Sequence, residues 1–182
     1  IAIAELDEDF SDFSGDPFPD NCWTSSHAAP YVSADTEGEY ISIYSFMSAA
    51  TPIYVVTPEL TTIDGEHALS FDAFVQEGSM EGGVLTVQAG TLDAADNFEG
   101  FQAVGDLITL TTESDTFNVE IPASETQKFI AFKVTSSVAH GAAAIDNVKW
   151  DATAGVGENT QNSFVIYPNP STDKNINITF NG

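Results

Sequence analysis

The chain has no arginine and only four lysines to set against 28 aspartates and glutamates, which gives its 182 residues a formal net charge of −24. That balance excludes nucleic acid as a partner, because phosphate contacts need a basic footprint. Strongly anionic glycans are disfavoured for the same reason. So acidic a surface suits divalent cations and salty surroundings, where screening over about 8 to 10 Å relieves self-repulsion. Cysteine is as scarce: Cys22 stands alone, so no internal disulfide can form. Stability must come from packing, with a metal ion as the natural supplement. Long apolar runs are missing too. The longest uncharged stretch, 40–58, is dotted with Ser, Thr, Tyr and Pro, so no membrane span is expected. The opening residues, Ile1-Ala-Ile-Ala4, carry neither an initiator Met nor a basic leader, and a removed signal peptide is the expectation.

Helical periodicity is nearly absent, and what replaces it is alternation. Hydrophobic residues make up 42% of the chain, enough for the core of one main domain. In 68–76, Leu69, Phe71, Ala73 and Val75 point one way while Ser70, Asp72 and Gln76 point the other, the pattern of a half-buried antiparallel strand. Similar strands are expected over 41–46, 53–56, 84–89, 107–112, 116–121, 128–135 and 143–150. Asp64-Gly65, Glu81-Gly-Gly83 and Gly105-Asp106 supply the turns between them. The fold class is therefore all-β, a jelly-roll β-sandwich of two antiparallel sheets over residues 1–151. Residues 152–163 are small, polar and aperiodic, and read as a linker. Residues 164–182 form a short C-terminal β appendage, in which Pro168 and Pro170 interrupt two strand-like runs.

One strand contains an anomaly. Counting by two from Trp150 through Val148 puts Asp146 on an apolar strand face, where an ionised carboxylate is costly unless paired or metal-bound. Ion-pair partners are scarce in this chain, and calcium, with six to eight oxygen ligands, suits a site assembled from distant segments. The acidic run Glu5-Leu-Asp-Glu-Asp-Phe-Ser-Asp12 offers further oxygens. The bland alternative is that Asp146 caps a turn. Aromatic residues supply the other candidates. Trp23, Tyr31, Tyr44, Phe98 and Phe101 lie near loop-like stretches, where exposed rings stack on sugars, although such rings more often fill a core.

Catalytic signals are weak by comparison. His27, His67 and His140 lie far apart with no zinc-ligand spacing, and no Gly-x-Ser-x-Gly turn is present. With 28 acids, carboxylate pairs suited to glycoside hydrolysis are too common to be informative. Asp93-Ala-Ala-Asp-Asn-Phe-Glu99 lacks the order of an EF-hand loop and reads as a solvated turn.

Several motifs occur in the order of a known family: Glu8-Asp-Phe-Ser11, Pro19 to Trp23-Thr24, Tyr54-Val-Val-Thr-Pro-Glu-Leu60, Lys128-Phe-Ile-Ala-Phe-Lys133 and Ala144-Ile-Asp-Asn-Val-Lys-Trp150. Together they resemble the cleaved-adhesin, or choice-of-anchor, family of MAM-like jelly-roll surface modules. The resemblance implies a structural calcium ion between the N-terminal acids and the closing strand, here Asp7, Asp9, Asp12 and Asp146. Ser11 stands where the family usually has Glu, which shifts that ligand role to Asp9, Asp12 or a backbone carbonyl. Ser25-Ser-His-Ala-Ala-Pro30 replaces the family's Asp/Gly-rich loop. The tail, Phe164-Val-Ile-Tyr-Pro-Asn-Pro-Ser-Thr-Asp173, resembles the opening of the C-terminal sorting domain of the type IX secretion machinery, truncated here at Gly182. These resemblances imply a module secreted to, or held at, the cell surface of a Gram-negative bacterium. The resulting expectation is a non-catalytic, calcium-stabilised binding module for a neutral glycan or a surface protein. The alternatives are a structural spacer within a larger secreted protein and, third, a small glycan-active hydrolase or lyase.

Overall fold

The computed structural model describes residues 1–13, 22–34, 40–47, 49–79 and 81–153, together with the backbone of 164–167 and 177–180. Period-two alternation becomes strands along most of this length. In chain order they are β1 (Leu6–Glu8), β2 (Thr24–Ser25), β3 (Val32–Ala34), β4 (Ile41–Tyr44), β5 (Ile53–Val56), β6 (His67–Val75), β7 (Leu85–Leu92), β8 (Gln102–Ala103), β9 (Ile108–Thr109), β10 (Asp115–Glu120), β11 (Phe129–Ser136), β12 (Ala142–Ala152), β13 (Phe164–Tyr167) and β14 (Asn177–Phe180). A single 3-10 turn, Phe98–Gly100, is the one helical element among the described residues.

Two six-stranded antiparallel sheets face each other, as the sequence predicts. The first runs β10-β6-β12-β4-β3, and the second runs β2-β5-β11-β7-β8 with β9 also on β7. β12 is the spine of the first sheet. β6 lines one of its edges, while β4 and β1 share the other, β4 pairing with Ala142 to Ile145 and β1 with Val148 to Trp150. The core fills the space between the inward faces. Leu69, Phe71, Ile41, Ile43, Ile145 and Trp150 come from the first sheet, and Val55, Leu85, Val87, Ile130 and Phe132 from the second. Phe71 meets Phe132 edge to face across this space, with ring centroids 4.9 Å apart.

Three expectations are corrected. The strand expected over 107–112 is only Ile108–Thr109, whereas the one expected over 84–89 begins at Leu85 and continues to Leu92. β12 itself runs to Ala152, and the Thr153 amide donates to the Glu66 carbonyl at 2.8 Å. The third correction concerns Asp146. Its register against β6 breaks between Asp146 and Lys149, and Asn147 takes a left-handed φ of 47°. This bulge inserts one extra residue and reverses the facing. Ala143 and Ile145 point into the core before it and Val148 and Trp150 after it, so Asp146 lies on the opposite face from Val148 and Trp150.

β13 and β14 form an antiparallel hairpin in register from Phe164 opposite Phe180 to Tyr167 opposite Asn177. Pro168, Asn169 and Pro170 of the sorting-domain resemblance lie outside the described residues.

Candidate functional site

The outer face of the second sheet carries three cross-strand rows set by register. Val56, Ala131 and Gly90 form the first, with Ala103 beyond them on β8. Tyr54, Lys133 and Gln88 form the second, and Thr135, Thr86 and Thr109 the third. The first row is apolar and is not left to solvent. The 93–101 loop folds back over it, packing Phe98 and Phe101 with Phe129 against Val56, Leu92 and Ala131. Phe98 stacks on Tyr54 at 5.2 Å, and Phe101 meets Tyr54 edge-on at 5.4 Å. Gly90 makes this possible: a Cβ there would lie 2.5 Å from the Phe101 ring and 2.4 Å from the Gln102 carbonyl oxygen.

Beside the folded-back loop lies an open groove of about 440 Å³, lined by Thr86, Gln88, Phe101, Ala103, Leu107, Lys133 and Thr135. One wall is fixed by Gln88, whose amide nitrogen donates to the Val104 and Gly105 carbonyls at 2.9 and 3.2 Å. Leu107 is 62% exposed at the rim. The Lys133 ammonium sits 6.0 Å from the Phe101 ring centre. Lys128 and Lys149 are paired with Glu59 and Asp7 at 3.2 and 3.1 Å. Lys133 is the one lysine among the described residues with no carboxylate at ion-pair distance. None of the described residues lining this groove is Asp, Glu or His.

The five aromatic candidates do not share one surface. Trp23 is fully buried and packs edge-to-face on Phe10 at 5.1 Å, so it is a core residue. Phe101 lines the groove just described, while Phe98 packs beside it on Tyr54. Tyr31 immediately precedes β3 and Tyr44 ends β4, and both cluster with Phe46, which meets them at 5.9 and 6.0 Å.

Three of the four acids expected to bind metal are likewise occupied separately. Asp7 pairs with Lys149. The Asp9 carboxylate accepts from the Ser11 amide and hydroxyl at 3.0 and 2.7 Å, which holds its carboxyl below the usual range. Asp146 accepts from the Asn147 amide at 2.7 Å and from the Asn147 side-chain amide, which also donates to Asp72. Among the described residues no three His, Cys, Asp or Glu side chains converge to hold a metal ion. Asp7, Asp9 and Asp146 are thus each held by a different neighbour among the described residues.

Glu8, absent from that set, is the more unusual acid. Burial pushes its carboxyl above the ordinary value of 4.5, helped by the charges of Asp9 and Asp12. The Phe10 amide, donating to it at 2.9 Å, works the other way, as does the nearby Trp23 indole. That buried indole N–H has no hydrogen-bond partner among the described residues. The sequence signal was alternation itself, since Leu6 and Glu8 share a strand face.

No protein-family model matches the sequence, and no curated protein matches it. Solved structures do resemble the fold. The K3 cleaved adhesin domain of Lys-gingipain from Porphyromonas gingivalis superposes with a TM-score of 0.63 at 17% identity, covering 82% of this chain and 100% of that one. The CBM22-1 xylan-binding domain of Paenibacillus barcinonensis Xyn10C gives 0.55 at 15% identity, over 85% and 99% of the two chains. TmCBM27, a carbohydrate-binding module studied for specific mannan recognition, gives 0.54 at 16% identity, over 84% and 98%. At these identities the likeness shows the fold: a jelly-roll sandwich of the kind used by adhesin and carbohydrate-binding modules. No described helix is long and apolar enough to cross a membrane.

Proposed function

We propose that this chain is a non-catalytic binding module whose groove on the second sheet holds a neutral glycan. The observation that carries this reading is Lys133. In a chain with 28 acids it is held over Phe101 at the groove floor, away from any described carboxylate. An ammonium donor, an aromatic ring and threonine hydroxyls in about 440 Å³ of open space match a sugar's mixture of apolar C–H face and hydroxyls. The xylan- and mannan-binding modules with the same fold support the ligand class. Titration with xylo-, manno- and cellohexaose tests it by calorimetry. Lys133→Ala and Phe101→Ala should each weaken the best ligand about tenfold, the value of one lost stacking or cation–π contact. Absence of binding to any neutral polysaccharide would leave the spacer reading in its place.

The hydrolase alternative could draw on a larger cleft, about 700 Å³, lined by Glu59, Asp64 and Glu125 among others. Its geometry argues against that role. Glu59 is paired with Lys128, and the Glu66 amide and His67 hold the Asp64 carboxyl below the usual range. A glycosidase acid needs its carboxyl held above that range.

Calcium belongs to the proposal on narrower ground than the sequence gives it. A cation beside Glu8 would offset the burial and repulsion that raise its carboxyl. Asp16 and Asp20, the next acids after Asp12 along the chain, lie outside the described residues. Because the folded-state value is raised, Glu8's contribution to stability is complete below 4.5 and is lost as pH rises through the folded value. Glu8→Gln should therefore raise the melting temperature at pH 7 in chelator, and should abolish the rise that millimolar calcium gives the parent chain. A parent melt identical in calcium and chelator would remove calcium from the account. Export by the type IX machinery and a cell-surface location rest on the Tyr167-Pro-Asn-Pro170 resemblance, and an exported neutral-glycan binder is consistent with it.

A further inference from the structure

We infer a second saccharide-binding site, a ring platform at the end of the sandwich where β4 leads into β5 and β11 into β12. It rests on rings the groove does not use. Phe46 lies at its centre, with Tyr31, Tyr44 and His140 around it edge-on at 5.9, 6.0 and 6.1 Å. His27 extends the cluster from Tyr31 at 5.0 Å, and the Tyr44 hydroxyl is hydrogen-bonded to His140 Nδ1. Phe46 is 36% exposed and the adjoining Met47 is 73% exposed.

Three features point to a ligand and to its class. The first is charge. The segments that carry the rings, 25–31, 44–52 and 135–142, contain no Asp, Glu or Lys, although 18% of the chain is charged. A neutral partner can dry this surface without stripping water from a carboxylate, and its rings carry hydroxyl and imidazole groups that a purely apolar partner would leave unpaired. Pyranose rings, with an apolar face edged by hydroxyls, match both properties.

The second is backbone strain. Phe46 and His140 sit at left-handed φ values of 44° and 60°, with Ala50 at 62° in the same loop. Glycine relaxes at such angles, and residues with side chains are rare there. Phe46 and His140 both face solvent beside Tyr44, whereas Phe10, the other ring at a left-handed φ, is buried in the core. Strain retained where glycine would be easier is a mark of a site.

The third is rigidity. The His140 amide donates to the Phe46 carbonyl at 2.7 Å, the Ser45 amide to Gly141 at 2.8 Å and the Ala50 amide to Ser136 at 2.7 Å. The Ser45 hydroxyl donates to the Val138 carbonyl and accepts from the Gly141 amide, both at 2.9 Å. The platform is thus built before any ligand arrives, which lowers the ordering cost of binding. Two sites on one module would let it hold two strands, or two points on one strand, and gain from effective concentration.

The test follows amide resonances of the ¹⁵N-labelled chain during titration with xylo-, manno- and cellohexaose. Amides of 27–31, 44–50 and 137–141 should shift on binding, and should shift at the same ligand concentrations in Lys133→Ala, which weakens the groove alone. Phe46→Gly should remove those shifts, weaken platform binding about tenfold or more, and leave the groove's response in place. Its melting temperature should not fall, because glycine relieves the strained φ. His140→Gly makes the same separation through an exposed ring if Phe46→Gly melts early. Platform amides that stay still while groove amides move would overturn this site and spare the groove. Platform shifts lost with Lys133→Ala, or kept in Phe46→Gly, would also overturn it. So would platform shifts produced by protein concentration alone, since the surface would then belong to a second copy. No shift anywhere would sink both sites.

Discussion

Trp150→Ala is expected to cost about 3 to 5 kcal/mol of folding stability, the usual range for removing a fully buried tryptophan. The site is central to the first sheet. Trp150 is fully buried on β12, in register with Leu6 of β1 on one side and Leu69 of β6 on the other. Its ring stacks on His67 at 5.4 Å, and its indole N–H donates to the Thr62 hydroxyl at 2.8 Å. Truncation would open a cavity where three strands meet and would remove the indole's hydrogen bond. For a domain of this size the melting temperature should fall by roughly 10 °C. Trp150→Phe separates the two terms by keeping most of the packing and losing the hydrogen bond. A loss below about 1 kcal/mol for the alanine variant would mean the β1–β12–β6 junction is not packed as described.

The alternation that made the fold class legible is also why one site residue was misplaced. Leu69, Phe71 and Ala73 face the core as a two-residue period requires. The same counting fails at Asp146, because it assumes unbroken register and Asn147 breaks it. The local signal is the Asp-Asn pair, since asparagine tolerates left-handed φ better than most residues. Trp23 lay near loop-like sequence, yet its surroundings are set by Phe10, thirteen residues away and itself at a left-handed φ of 56°. No local pattern encodes that contact. The platform was half legible. Tyr31 and Tyr44 stood out as aromatic, but Phe46 and His140 join them only through the pairing of β4 with β12.

The groove has a sequence signal of its own in Gly90, a glycine inside the β7 pattern, and the last expected result depends on it. Glycine within a strand weakens it unless something approaches the backbone closely. Here the Phe101 ring and β8 do. In Gly90→Ala the new methyl would meet the Gln102 carbonyl oxygen at 2.4 Å and the Phe101 ring at 2.5 Å, so both must move. Overpacking of this kind costs about 1 to 3 kcal/mol. The larger effect falls on binding. Phe101 forms one side of the groove and carries Lys133 over its ring, so displacing it removes the stacking face and the ammonium's position together. Hexaose affinity at the groove should drop well over tenfold, beyond the loss in Lys133→Ala alone. Gly78→Ala is the control for stability: it strains a left-handed φ of 85° in open space, far from these rings in the chain. It should lower the melting temperature by a few degrees and leave the groove's affinity unchanged. Adding Phe101→Ala to Gly90→Ala should restore stability only in part, because the Gln102 carbonyl still opposes the methyl. Undiminished groove binding by a folded Gly90→Ala chain would show that Phe101 does not hold the ligand, and would remove the groove from the functional account.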